Sequence, residues 1–316
     1  MRIRDHTLHR CDPTGEVDLE NPHAVATAIK SILDRLHGDA YDSALLAQGI
    51  DALVQAYRGA YPGLLRCDTL YHDLRHVLET GLTMARLLDA DARAPASADG
   101  AGIDGEHALL GVLLALFHDV GLLRRGSEAQ VWGATFTPIH EERGVEFLRQ
   151  YLPQTTLASL SEKAGLIMPT KLIFRIPDDW SALDRKLASM IASADLLSQL
   201  ADCCYLEKCW HFLFLEFTAF GIAGTPGSVY PDRETLMEKS SGFYSNVVIT
   251  RLEQEFRGIC HLMDTYSCGS NPYQEAIDCN FGFLEKIVAT HDFSQLRRRP
   301  RPYVGDPPGS AEQAAL

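Results

Sequence analysis

The chain has 316 residues, with 29 Lys and Arg against 42 Asp and Glu, so its formal net charge is −13. Hydrophobic residues make up 46% and charged residues 22%, which is typical of a globular protein and argues against a disordered chain. The acidic balance disfavours large nucleic acids and anionic membranes as partners, because phosphate-rich surfaces bind basic faces. A small phosphorylated substrate held by a local metal site is still compatible with this charge.

The N-terminus and the cysteines indicate a cytoplasmic protein. Residues 1–20 contain no apolar core of a signal peptide, and the longest apolar run, 108–117, is far shorter than the ~20 residues that span a bilayer. The eight cysteines form no CxxC pair and show no zinc-finger spacing. We therefore expect reduced thiols that serve as small apolar residues, and no membrane contact.

The hydrophobic pattern predicts helices along nearly the whole chain. Asn21 and Pro22 supply an N-cap and a first helical residue for a helix that runs to about residue 36. The segment 106–120 is apolar on all sides, which predicts a helix at the centre of a bundle. The other predicted helices cover residues 40–58, 69–88 (capped by Asp68), 138–151, 156–168, 180–202, 203–219, 232–262 and 271–290.

These helices predict an all-α fold, a single-domain helical bundle over residues 21–292. The best strand candidate, 247–249, is embedded in a helical pattern. Residues 1–20 are expected to form an N-terminal extension. Residues 293–316 are rich in Arg, Pro and Gly, a composition that predicts a disordered tail without a core. The apolar C-terminal helices could hold the two copies of a homodimer together.

Polar residues in apolar surroundings point to a metal. His118 and Asp119 follow ten consecutive apolar or glycine residues, and Asp195 has apolar neighbours on most sides. His72 and His76 are four residues apart, which places both imidazoles on one helix face. Burying such groups without partners is costly, and coordination of a cation would satisfy them. Two imidazoles and two carboxylates suit a divalent transition metal.

Each of these residues also has a structural interpretation. The two histidines could lie on the surface, and Asp195 could be a partner of Arg185. The run His140-Glu141-Glu142-Arg143 could be the solvated first turn of a helix, where acidic residues favour the helix dipole.

The order of the four residues resembles that in the HD-domain metal-dependent phosphohydrolases. In this resemblance the metal ligands are His76, His118, Asp119 and Asp195. The segment YHDLRH (71–76) is similar to the YHNxxH segment shared by bacterial HD hydrolases and the cyclic-nucleotide phosphodiesterases. HEERG (140–144) is similar to the NEERS segment of the bacterial group, and IMPT (167–170) to the I-x-x-T segment that follows it. The matching region covers about residues 68–200.

Two residues differ from the family pattern. Asp73 stands where relatives have Asn, and Lys171 stands where many relatives have an acid or a histidine. The chain also has no His-His pair like that of the cyclic-dinucleotide branch. The resemblance therefore predicts one tightly bound ion, with a looser second ion bridged by Asp119.

The resemblance implies a metal-dependent phosphohydrolase or phosphodiesterase, with a nucleotide or cyclic nucleotide as substrate. One or two divalent ions (Mn, Fe, Ni, Zn or Mg) would activate water and polarise the phosphoryl oxygen. His72 would be the general acid, and Glu141 would be a base or would orient a histidine ligand. Residues that could bind the phosphorylated substrate are Tyr71, Arg75, Arg143 and Lys171.

Two other functions are open at this point. An HD-fold di-iron oxygenase would need further histidine ligands, for which His140 is the best placed. A non-catalytic HD module would bind a nucleotide and a partner protein. The complete set of four ligands together with His72 argues against such a module.

Overall fold

The computed structural model describes residues 10–94, 102–266 and 269–304. Their regular elements are α-helices, joined by 3₁₀ and π-helical segments. The α-helices are α1 Pro22–His37, α2 Ser43–Arg58, α3 Leu74–Arg93, α4 Gly105–Phe117, α5 His140–Tyr151, α6 Ala182–Ala201, α7 Tyr205–Lys208, α8 Phe214–Ala219, α9 Arg233–Phe243 and α10 Pro272–Thr290. Over these residues the only β-type pairing is three isolated bridges. The prediction of an all-α single-domain bundle is confirmed.

The first helix begins and ends as its sequence predicts. The Asn21 side chain accepts hydrogen bonds from the backbone N–H groups of His23 and Ala24, and Pro22 occupies the first helical position. Gly38 follows the helix at φ 54°, a left-handed conformation that glycine adopts without strain.

The third helix begins five residues later than predicted, and this shift matters for the site. Asp73, not Asp68, is its N-cap, and Asp73 Oδ1 accepts the backbone N–H of His76 at 3.0 Å. The preceding backbone is held outside the helix because Glu216 accepts the N–H groups of Leu70 and Tyr71, each at 2.6 Å. His76 therefore lies in the first turn of α3, and His72 lies on the segment before it.

Helix α4 is the buried centre of the bundle, as its apolar pattern predicts. Its residues from Ala108 to Phe117 are fully buried. A Cβ at Gly81 of α3 would lie 2.4 Å from Leu116 Cδ2, so the absence of a side chain there lets the two helices approach closely. Among the described residues, the segment Gly105–Leu122 is long and apolar enough to cross a membrane, and 89% of it is buried inside the bundle.

Several predicted α-helices have other helical forms. Residues Ala158–Thr170 form a 3₁₀ helix that contains Pro169, a residue that cannot donate a backbone hydrogen bond. In the region 232–262 the helix α9 ends at Phe243 and two π-helical turns follow, Tyr244–Val248 and Arg251–Glu255. The strand candidate 247–249 is helical, and its first two residues lie in the first of these turns. Cys268 lies outside the described residues, and the seven cysteines within them are not in disulfides.

Both ends of the described chain pack on the bundle. In the extension, Val17 and Leu19 are buried, and Asp12 pairs with Arg86 of α3 at 2.5 Å. In the segment 293–304, Phe293 and Leu296 are buried, so the expectation that this region contributes nothing to the core is wrong for these two residues. Hydrogen bonds also attach this segment to the bundle, since the Tyr303 N–H donates to Asp73 Oδ2 at 2.7 Å and the Tyr303 carbonyl accepts the Leu74 N–H at 2.8 Å. The rest of the tail, 305–316, lies outside the described residues.

Candidate metal centre

Four buried side chains from three helices meet at one point in the bundle. His76 comes from the first turn of α3, His118 and Asp119 follow the last residue of α4, and Asp195 lies in α6. Each is at most 7% exposed. His76 Nε2 lies 3.3 Å from His118 Nε2, from Asp119 Oδ2 and from Asp195 Oδ1. His118 Nε2 lies 3.4 Å from each of the same two carboxylate oxygens.

The spacing of these atoms fits ligands of a single ion. Nitrogen and oxygen ligands lie about 2.0–2.2 Å from a zinc ion, so neighbouring ligands of one ion lie roughly 3.0–3.5 Å apart. His76, His118 and Asp195 form a buried group that could bind a metal. Asp119 Oδ2 is buried without a hydrogen-bond partner, and a cation would satisfy this atom.

Hydrogen bonds orient the donor atoms toward this point. His118 Nδ1 donates to the Ala115 carbonyl at 2.8 Å, which leaves Nε2 free to act as a ligand. Asp195 Oδ1 accepts from Gln199 Nε2 at 2.5 Å, and Gln199 Oε1 accepts from the Tyr71 hydroxyl at 3.3 Å. Tyr71, which the resemblance implied as a substrate contact, is buried here and positions Asp195 through Gln199.

The electrostatics of the centre favour positive charge. Burial by itself would lower the pKa of His76 and of His118, but Asp119 and Asp195 outweigh it and raise each pKa to about 9. Burial would raise the carboxylate pKa values, yet the surrounding histidines hold those of Asp119 and Asp195 well below the usual range. In the protein alone, protons on imidazoles therefore supply the charge that a metal would supply.

His140 and Glu141 lie beside the four donors, at the start of α5. His140 Nδ1 donates to the Thr137 carbonyl at 2.7 Å, and its Nε2 lies 3.2 Å from Asp119 Oδ1. Asp119 thus has one oxygen toward His76 and His118 and the other toward His140. Glu141 is buried, its Oε2 has no hydrogen-bond partner, and burial raises its pKa. Its carboxylate lies 3.3 Å from His140 Nδ1.

His72 is held by a buried glutamate that the sequence did not single out. His72 Nδ1 donates to Glu216 Oε2 at 2.6 Å, and the other oxygen of Glu216 binds the two backbone N–H groups before α3. The centroid of the His72 ring lies 5.9 Å from that of His76 and 6.4 Å from that of His140. Burial would lower the pKa of His72, but the charges of Glu216 and Asp119 raise it. The sequence signal that could have indicated Glu216 is its position as the one acidic residue in the aromatic segment FLEFTA (214–219).

The three predicted substrate-binding cations lie in different surroundings. Lys171 is at the edge of the centre, 2.6 Å from Glu142 Oε1 and 3.8 Å from Glu141 Oε2. Arg75 is buried and faces Asp202 at 3.7 Å. Arg143 donates to the backbone carbonyls of the turn after Asp119 and to Glu128, so it braces that turn.

The structural interpretation of Asp195 as a partner of Arg185 does not apply. Arg185 Nε donates to the Trp180 carbonyl at 3.0 Å, near the start of α6.

Glu142 is the exposed acid in the first turn of α5 and pairs with Lys171.

Comparison with known proteins gives a partial match. A model of the Npun_R2479-like family matches residues 127–265, somewhat less than half of the chain. The matched segment contains His140, Glu141, Asp195 and Glu216, whereas His72, His76, His118 and Asp119 precede it. The description of this family names no activity. No curated protein and no solved structure matches the chain.

Proposed function

We propose that this protein is a metal-dependent phosphohydrolase of the HD type that hydrolyses a phosphoester of a nucleotide or cyclic nucleotide. The observation that carries the proposal is the convergence of His76, His118, Asp119 and Asp195 at 3.3–3.4 Å, with His72 beside them. A core that needed only apolar packing would not place four ionisable groups together, because each loses hydration on burial.

The four side chains would hold one divalent ion. When bound, the ion would supply activated water and a positive charge next to the phosphoryl oxygens. The mixture of imidazole and carboxylate suits Mn, Fe, Ni or Zn, and carboxylates also bind Mg. Asp119 Oδ1 and His140 Nε2 would be available to a second, looser ion, since they lie 3.2 Å apart next to the first site.

His72 would act as the general acid. Its Nδ1 donates to Glu216, so the other ring nitrogen carries the exchangeable proton. Burial would lower the pKa of His72, but the carboxylate of Glu216 raises it, which favours the protonated ring that a general acid needs. In this position the imidazolium would donate a proton to the leaving oxygen of the ester, and Glu216 would keep the ring in its orientation.

The phosphate would be bound at the edge where Lys171 lies. Lys171 is 15% exposed and its ammonium group is shared between Glu142 and the Pro138 carbonyl. The Glu142 side chain is 50% exposed and can be hydrated when it leaves Lys171, so a substrate phosphate could take its place. Glu141, buried and without a hydrogen-bond partner at Oε2, would accept a proton or orient His140.

A di-iron oxygenase is the second candidate, and one observation favours it. His140 Nε2 faces the second oxygen of Asp119 at 3.2 Å, which supplies a histidine for a second ion. An oxygenase of this fold would need additional histidine ligands around that ion. A non-catalytic nucleotide-binding module would have no use for the complete donor set.

Metal analysis and a hydrolysis assay of the full chain test the proposal. We expect about one or more equivalents of Mn, Fe, Ni, Zn or Mg, and metal-dependent hydrolysis of bis(p-nitrophenyl) phosphate. His72→Asn should lower kcat by about 10²–10⁴-fold, the usual contribution of a general acid. His107→Asn is the matched control, because His107 lies at the start of α4 and, among the residues that the structure describes, its side chain hydrogen-bonds to Asp104 alone.

Three results would contradict the proposal. A folded protein that takes up no metal would exclude both the hydrolase and the oxygenase. Iron-dependent consumption of dioxygen without hydrolysis would favour the oxygenase. Full activity of His72→Asn would remove this histidine from the mechanism.

A further inference from the structure

A cavity of about 360 Å³ opens between α5 and the turn that follows Asp119. None of its lining residues is a donor of the metal centre. Its volume falls in the range of roughly 300–1,000 Å³ that small-molecule sites occupy, near the lower end. The cavity is therefore large enough for one small ligand.

Three aromatic rings line this cavity. Phe147 and Tyr151, one turn apart on α5, are nearly parallel with centroids 6.0 Å apart, and the Tyr61 ring lies 5.5 Å from Phe147. Within the described residues, the hydroxyls of Tyr61 and Tyr151 make no hydrogen bond to the protein, although both side chains are partly buried. Flat apolar surface next to two free hydroxyl donors suits a planar ring with acceptor atoms.

The walls of the cavity are fixed by backbone pairing. Leu64 and Arg125 form an isolated antiparallel bridge, and the Gly126 N–H donates to the Gly63 carbonyl at 3.1 Å. Arg143 Nε donates to the Gly121 carbonyl at 2.7 Å, which fixes two lining residues of the cavity relative to each other. The cavity thus has its shape before a ligand arrives, which lowers the entropy cost of binding.

The charges at the cavity cancel. Arg125 pairs with Glu146 at 2.6 Å across the rim, and the other lining cation, Arg143, is paired with Glu128. No uncompensated cation is left among the lining residues to favour an anion. Arg125 and Glu146 instead offer a donor and an acceptor side by side, which suits the polar edge of an uncharged heterocycle.

We propose that this cavity is a second ligand site, one that binds an uncharged planar heteroaromatic compound of nucleoside size through Tyr61, Phe147 and Tyr151. The ring packs against the cluster of Tyr61, Phe147 and Tyr151, and its acceptor atoms receive a tyrosine hydroxyl. The site is independent of the metal centre, and its occupancy does not require the proposed hydrolysis.

Isothermal titration of the full chain with adenosine, guanosine, cytidine and uridine tests this site. We expect at least one of them to bind at one equivalent, and its 5′-monophosphate to bind no more tightly. Tyr61→Leu and Phe147→Leu should each weaken binding about tenfold or more, in line with the loss of one stacking contact. Asp195→Asn, at the metal centre, and Tyr230→Leu, at a half-buried tyrosine elsewhere, should leave the affinity within about twofold.

Phe147 also packs against Phe117 of the core, so Tyr61→Leu, in the loop after α2, is the decisive variant if Phe147→Leu does not fold. Absence of binding by all four nucleosides up to about 1 mM would overturn the proposal. Binding that Tyr61→Leu leaves unchanged, or that Asp195→Asn weakens, would place the ligand elsewhere and overturn it too.

Discussion

Helix α3 carries two buried clusters of charge that differ in one respect. On one side His76 faces His118, Asp119 and Asp195. The neighbouring cluster, which we call the ion-pair cluster, consists of four residues from α3 and from the region after α6: Arg75, Glu79, Asp202 and Lys208. There Asp202 Oδ2 binds Lys208 Nζ at 2.5 Å, and Arg75 lies 3.7 Å from Oδ1.

The difference lies in what neutralises the carboxylates. Asp202 has permanent cations, and Arg75 and Lys208 hold its pKa low although burial would raise it. Asp119 and Asp195 have imidazoles, whose protons leave at pKa values of about 9. A divalent ion can displace protons from histidines, whereas it cannot displace a lysine or an arginine that is part of the fold. Equally buried acids can therefore have different roles.

The largest effect on metal affinity is expected from Asp195→Asn. The amide keeps the shape of the side chain but loses its charge, so the affinity for metal should fall by about 100-fold or more, beyond the 10–100-fold typical of changes to groups that only orient a ligand. Competition with a chelator measures this affinity, and circular dichroism checks the helical content. Unchanged metal affinity would remove Asp195 from the centre.

Asp202→Asn tests the other cluster. It leaves Lys208 and Arg75 buried without their carboxylate, which should lower the free energy of unfolding by about 3–5 kcal/mol. Urea denaturation at neutral pH measures the change, with the exposed Asp51→Asn as the matched control. The folded fraction should retain its metal. If Asp202→Asn lost metal and kept its free energy of unfolding, Asp202 would belong to the metal site and the distinction between the two clusters would be wrong.

The smallest effect on stability is expected from Glu79→Gln, and its size depends on pH. Glu79 is buried, its Oε1 has no hydrogen-bond partner, and burial raises its pKa to about 8. Between its unfolded pKa near ~4.3 and about 8 the folded protein binds more protons than the unfolded chain, so stability falls as pH rises through this window.

Replacing Glu79 by glutamine removes this fall in stability at higher pH, because glutamine does not ionise. The variant should match the wild type near pH 4.5 and be more stable by about 1–3 kcal/mol near pH 8. Thermal unfolding at several pH values measures the difference, and Glu275→Gln, on exposed α10 surface, is the control. A variant less stable at pH 8 would mean that Glu79 is ionised and pairs with Arg75.

Local signals predicted the helices and failed where a distant group intervened. Asn21 and Pro22 mark the start of α1 by neighbouring hydrogen bonds, so the sequence suffices there. The sequence predicts too early a start for α3, because Glu216, more than 140 residues away, accepts the backbone N–H groups of two residues before Asp73 and keeps them outside the helix. The polar composition of 293–304 likewise hid the burial of Phe293 and Leu296.

The sequence by itself determined the helical class and the residue types of the candidate metal centre. Hydrophobic periodicity and polar residues such as His118 and Asp119 after an apolar run are local properties of the chain. Tertiary structure decided which groups converge. It brought Asp195 to His76, used Tyr71 and Gln199 to orient Asp195, and paired His72 with Glu216. The distances between these side chains depend on how whole helices pack against one another, and no local sequence pattern encodes them.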